Sequence, residues 1–186
     1  LISRGTGQTE SALDSFARAL DRDPRNADAM REQGRALADE GRIEEAERAY
    51  QRALALRPSD WATYNYLGRM KVGEGRLEEA ARDFEQVTLL APDNPRGHTN
   101  LGVVSFKLGR LENALTTLRR SVEIRPTAVA LTNLGATLFY LERFSEAARV
   151  FAEAVGLDEH NATAWLNLGR ARQHEAPGSV DARTAL

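Results

Sequence analysis

Apolar residues along this chain recur at steps of three and four, which places them on one face of a helix. Leu131, Leu134 and Leu138 surround Gly135 in this way, and Tyr64, Leu67 and Lys71 surround Gly68. A glycine turn follows such stretches, at Glu40-Gly41-Arg42, Glu74-Gly75-Arg76 and Leu108-Gly109-Arg110. Glycine there ends a helix and permits a tight reversal. A second stretch then begins, whose apolar set Ala80, Phe84 and Val87 again steps by four and three. Proline closes it, as in Leu89-Leu90-Ala91-Pro92. The pattern predicts an all-α chain of paired helices joined by short turns.

The pairs repeat. Gly34, Gly68, Gly102, Gly135 and Gly169 are spaced by 34, 34, 33 and 34 residues. Pro24, Pro58, Pro92 and Pro126 form a second ladder, and Ala12, Ala46, Ala80, Ala114 and Ala147 a third. Each ladder glycine costs a helix roughly 1 kcal/mol against alanine. A cost repeated at fixed spacing implies close contact with the second helix. The alanine ladder makes the same point from the other side. A large column, Phe16, Tyr50, Phe84, Leu118 and Phe151, fills the space beside it.

This skeleton, with phrases such as Ala164-Trp165-Leu166-Asn167-Leu168-Gly169, resembles the tetratricopeptide repeat. The resemblance implies a right-handed superhelical solenoid of antiparallel helix-turn-helix hairpins, with the first helices lining the concave side. Full repeats are expected at 27–60, 61–94, 95–127 and 128–161. Residues 9–26 read as the second helix of a preceding repeat, and 162–186 as an incomplete fifth repeat. Both ends read as cut within repeats, so the chain is expected to be a segment of a longer protein. Two departures carry structural expectations. Gln33 replaces the leucine that precedes the other ladder glycines, which should loosen that hairpin. Glu159 replaces proline, so the 144–157 helix is expected to run on toward Asn161.

The expected function is a protein–protein interaction scaffold that holds a peptide or partner segment in the groove. Asn100, Asn133 and Asn167 stand two residues before their glycines, where Glu32 and Tyr66 stand in earlier repeats. Asparagine is a poor helix-interior residue, yet its amide offers a donor and an acceptor side by side. That suits a peptide backbone, as in arrays of the O-linked N-acetylglucosamine transferase type, which these Asn-Leu-Gly helices resemble. A structural role, bonding the neighbouring hairpin, is the alternative. Further candidates on the same face are Arg31, Arg35, Asn65, Tyr66, Arg69, Arg96, Lys107, Tyr140, Arg170 and His174. Arginine forks suit carboxylates, although Asp28, Glu32 and Asp39 lie close enough in sequence to neutralise them. A carboxylate-gripping arrangement known in the family is only partly kept, at Arg31, Arg35, Arg96 and Asn100, so binding of a chaperone tail is not expected. Phe106 and Phe139 read as hairpin core.

Composition narrows the alternatives. Net charge is −2, which offers no general attraction to nucleic acid. Cysteine is absent, which removes disulfides and thiol catalysis. His98, His160 and His174 have no metal-binding spacing, and no phosphate loop or nucleophile motif occurs. Paired acids such as Glu44-Glu45 and Glu78-Glu79 begin second helices, where they oppose the helix dipole favourably. No enzyme activity, cofactor, metal or membrane span is expected. A cytoplasmic, bacterial setting suits the cysteine-free composition and its arginine bias. Two alternatives remain open: a regulatory segment of a larger kinase- or transferase-linked enzyme, and a self-assembling module that homo-oligomerises through exposed end helices.

Overall fold

A computed structural model describes residues 6–175, and among these every regular element is an α-helix. The chain divides into two compact units, Leu1–Pro92 and Asp93–Leu186. The first holds α1 (Thr6–Arg22), α2 (Ala27–Asp39), α3 (Ile43–Leu56), α4 (Trp61–Gly73) and α5 (Leu77–Leu90). The second holds α6 (Pro95–Lys107), α7 (Leu111–Ile124), α8 (Ala128–Tyr140), α9 (Phe144–Leu157) and α10 (Ala162–Glu175). None is long and apolar enough to cross a membrane among the described residues.

The glycine ladder closes each hairpin. A Cβ on Gly34 would stand 2.8 Å from the Tyr50 ring, and one on Gly68 2.9 Å from Phe84. On Gly102 it would stand 2.5 Å from Leu118, and on Gly135 2.7 Å from Phe151. Tyr50, Phe84, Leu118 and Phe151 are each at most 1% exposed, and Ala46, Ala80, Ala114 and Ala147 are fully buried. Gly68 meets Phe84 while Lys71, one turn later, meets Asp83, so the paired helices run antiparallel. The Gly34 contact is as close as the others, so Gln33 does not loosen its hairpin. Its side chain instead lines a surface cleft.

The turns follow a shared plan. After α2 the Arg42 N–H donates to the Leu37 carbonyl at 2.9 Å, and Gly41 takes φ +76°. That left-handed residue favours glycine. Gly75 and Gly109 repeat it, and Glu142 occupies the same place at φ +59°. First helices are capped by Asn26, Asp60, Asn94, Thr127 and Asn161, whose side-chain oxygens accept backbone N–H groups. Each such cap stabilises by about 1 kcal/mol.

The expected extension of α9 does not occur. The helix ends at Leu157, and Asp158 is extended at φ −148°. Its carboxylate accepts the His160 N–H at 3.1 Å and its carbonyl the Asn161 N–H at 3.1 Å. Asn161 then caps α10, and the Trp165 indole donates to the Glu159 carbonyl at 3.0 Å. An aspartate turn thus stops the helix where proline was expected to be needed.

Candidate partner-binding faces

In the first unit, the first helices of the pairs are α2 and α4. Arg31 on α2 is turned onto carboxylates: its guanidinium donates to Asp28 at 2.9 Å, Asp60 at 3.0 Å and Glu32 at 3.3 Å. Arg57 also binds Asp28 at 2.7 Å, and that hydrogen bond holds the Asp28 carboxyl below the usual range. Arg35 donates to Glu32 at 2.9 Å, which raises its guanidinium further above the usual range. Tyr66 stacks in parallel with Tyr50 at a centroid separation of 6.4 Å. Burial pushes the Tyr50 hydroxyl above the usual tyrosine range, so it stays protonated. Asn65 is half-buried on α4. Arg69 is exposed and has no ion-pair partner among the described residues. Arg35, Tyr66, Arg69 and Met70 share the lining of a cleft of about 620 Å³.

In the second unit the corresponding helices are α6, α8 and α10. Asn100, Asn133 and Asn167 are half-buried at one register. The Asn133 amide donates to the Val129 carbonyl, one turn back on its own helix, at 2.8 Å. Asn167 lies 3.5 Å from Arg170, at the limit of a hydrogen bond. Arg96 and Lys107 are exposed and carry no ion pair among the described residues. Tyr140 is 66% exposed with its ring edge-on to Phe106 at 5.1 Å. Phe106 and Phe139 pack against the apolar core of the unit. His174 stacks on Phe144 at 4.7 Å.

The structure adds residues that the sequence reading passed over. Val129 is 63% exposed and Leu166 57% exposed, both on first helices. On α8, Val129, Asn133 and Tyr140 follow at steps of four and seven, which is one stripe of a helix. A second omission concerns the residue before each second helix. Arg42 grips Glu45 with both N–H groups at 2.7 Å, Arg76 grips Glu79 at 2.8 and 2.6 Å, and Arg143 grips Glu146 at 2.6 and 2.8 Å. Each hydrogen bond lowers the carboxyl of its glutamate. The repeated arginine three residues before a glutamate was the available signal.

Comparison with known proteins agrees with this architecture. The family model described as tetratricopeptide repeat matches residues 4–60, 67–129 and 132–175. No curated protein sequence matches the chain. Among solved structures it is similar to YrrB, described as a TPR protein with an unusual peptide-binding site, at 26% identity and a TM-score of 0.78. That match covers 88% of this chain and 84% of YrrB. It is also similar to MamA 41-end of Desulfovibrio magneticus RS-1, at 21% identity, TM-score 0.75 and coverage of 84% and 89%. A thermophilic TPR protein of Thermus thermophilus matches at 21% identity and TM-score 0.66, over 90% and 92% of the two chains. With the family model spanning most of its residues and the hairpins built on its glycine ladder, this chain belongs to the tetratricopeptide repeat family.

Proposed function

We propose that the chain is a protein-interaction scaffold that holds an extended peptide segment along its first helices, with no chemistry of its own. The observation that carries this reading is the α8 stripe, where exposed Val129 and Tyr140 flank the half-buried Asn133 amide. A polar backbone reader between two apolar side chains fits a peptide's alternating character. The peptide-binding site in the description of YrrB supports the same class of activity. The repeat bounds 27–60, 61–94, 95–127 and 128–161 belong to this proposal.

Magnitudes show what the asparagines supply. Three hydrogen bonds contribute about 0.5–1.5 kcal/mol each. That falls short of the roughly 8 kcal/mol of a micromolar complex. Covering an exposed apolar side chain the size of Val129 or Tyr140 contributes about 1.5–3 kcal/mol. Together these gross contributions approach that figure before the cost of association is subtracted, so further contacts along the first helices belong to the reading. In the first unit, Arg69 is the cation best placed for an acidic group, because Arg31 and Arg35 are already engaged with carboxylates.

The test is a quantitative pull-down followed by calorimetry on the captured segment. Asn100→Ala, Asn133→Ala and Asn167→Ala combined should weaken binding at least about tenfold, equivalent to ~1.4 kcal/mol. Tyr140→Ala should weaken it comparably. Undiminished affinity in both variants would defeat this reading.

A further inference from the structure

The first unit carries a second cleft, bounded by α1 and α3 with part of α2 at its base. It encloses about 500 Å³. Leu37 and Ala49 form an apolar floor, and Leu13 packs against the same buried cluster. Gln33 lines it with an amide that has no hydrogen-bond partner among the described residues. None of these residues belongs to the stripe or the cleft described above.

The next hairpin shows one way in which such a gap is closed. One hairpin later, between α3 and α5, Arg76 reaches across to Glu47 with two N–H groups at 2.8 and 3.1 Å. Thirty-four residues earlier, the arginine is Arg42 and the residue in place of Glu47 is Leu13. The cross-hairpin staple is therefore missing. Leu67, 5% exposed, packs into the apolar cluster with Ala46, Ala49 and Tyr50, and the residue in its column here is Gln33. Glu47 is the exception in its column, which is apolar at Leu13, Ala81, Leu115 and Ala148, whereas Gln33 alone departs from a leucine column; the cleft is thus left with an accessible apolar side chain and an unused amide.

Charge selects the ligand. The two acids that line the cleft are both engaged, Glu45 with Arg42 at 2.7 Å and Asp14 with Arg18 at 2.9 Å. Arg48 and Arg52, one turn apart on α3, are exposed and carry no ion pair among the described residues. We infer that the α1–α3 cleft binds a peptide segment in which an aliphatic side chain lies one helical turn from a carboxylate. The aliphatic group sits on Leu13, Leu37 and Ala49. The carboxylate meets Arg48 and Arg52, and Gln33 bonds a backbone group exposed at the segment's end. This inference does not depend on the peptide face of α8.

The experiment is an amide and methyl NMR titration of the full chain with two short synthetic helical peptides. One has leucine and glutamate at helical spacing; the other has glutamine for every glutamate. The acidic peptide should shift the resonances of Gln33, Leu13 and Ala49, and added salt should weaken it. Arg48→Glu with Arg52→Glu, both exposed positions, should weaken it at least about tenfold, or ~1.4 kcal/mol. Leu13→Glu should restore the staple to Arg42, close the cleft and abolish the shifts. Equal binding of the two peptides, shifts confined to the Arg69 cleft, or no shift at the α1–α3 cleft would each overturn the inference. Concentration-dependent shifts of the same resonances without peptide would assign the cleft to a second copy and overturn it too.

Discussion

The two units close the same hairpins with different chemistry around them. In the first, charge ties neighbouring hairpins together through Arg31 to Asp60 and Arg76 to Glu47, while Arg57 with Asp28 and Lys71 with Asp83 are each paired inside one hairpin. Its buried apolar residues include Leu37, Tyr50, Leu67, Met70, Phe84 and Val87. In the second, one apolar cluster runs from Ala114 through Leu131, Leu138 and Phe151 to Leu168 and Ala171, and the pair Arg119 and Glu146, 3.3 Å apart, joins neighbouring hairpins. The counterpart of the Arg31–Asp60 bond there is neutral, Asn161 donating to Thr132 at 3.1 Å. The shared glycine, alanine and large columns make the hairpin. The columns beside them are free to be charged or apolar, and that choice sets how each unit answers salt, pH and mutation.

The largest effect should come from the buried pair. Lys71 and Asp83 are both 8% exposed and 2.7 Å apart. The same columns hold Leu37 and Ala49 in the preceding hairpin. Asp83→Ala should destabilise the first unit by about 3–5 kcal/mol, because it leaves a buried ammonium with only the 3.9 Å contact to Glu79. Lys71→Leu with Asp83→Ala, which copies the preceding hairpin, should restore wild-type stability or exceed it. Urea denaturation of both variants tests this. A single variant no less stable than the double would show that the pair is not electrostatically closed.

Within the second unit, steric fit should dominate. Gly135→Ala places a Cβ 2.7 Å from the ring of Phe151, which is fully buried and cannot move aside. Overpacking costs about 1–3 kcal/mol, and the gain in helix propensity returns about 1 kcal/mol. A net loss of up to about 2 kcal/mol is expected. Gly169→Ala meets nothing within 4 Å among the described residues and should instead gain about 0.5–1 kcal/mol. Thermal melts giving the two substitutions the same sign would contradict the contact.

How much of this was legible in sequence depends on the distance over which residues cooperate. The glycine-to-aromatic contact was readable because both partners repeat at a fixed offset. The end of α9 was not, because Asp158 does with its own side chain what proline does elsewhere by constraining φ. The ties between hairpins span 29 residues, as in Arg31–Asp60 and Arg76–Glu47, and change identity from repeat to repeat. No ladder marks them. For the candidate faces, the asparagine register could be read from spacing. The engagement of Arg31 and Arg35 by carboxylates could not, because it depends on rotamers. Lys71 and Asp83 did leave a trace: two columns that hold Leu37 and Ala49 one repeat earlier carry opposite charges in this repeat.

A smaller effect should appear with pH, and within the first unit. The Arg76 hydrogen bond holds the Glu47 carboxyl below its ordinary range. Such a group stabilises fully above its unfolded pKa, and the contribution is lost as pH falls through the folded value. Asp83 works the other way, since burial raises its carboxyl despite Lys71. Its folded state takes up a proton more readily, so its contribution grows on acidification. Glu47→Gln should therefore lower the melting temperature at neutral pH, and the difference from wild type should vanish in acid. A difference that persisted would place the staple's contribution in packing rather than charge.

The smallest effect concerns a turn. Gly41, Gly75 and Gly109 hold the left-handed position after their helices, and Glu142 holds it in the second unit at φ +59°. A side chain there costs about 1–2 kcal/mol against a right-handed conformation. Glycine removes that cost but adds freedom to the unfolded chain, which returns about 0.4–1 kcal/mol. Glu142→Gly should thus stabilise by about 0.5–1 kcal/mol, and Gly75→Glu in the first unit should destabilise by a similar amount. Both are read from reversible thermal melts. Destabilisation by Glu142→Gly would mean that the Glu142 side chain contributes more than its backbone strain costs. The pocket it lines with Phe144 and His174 would be where to look for that contribution.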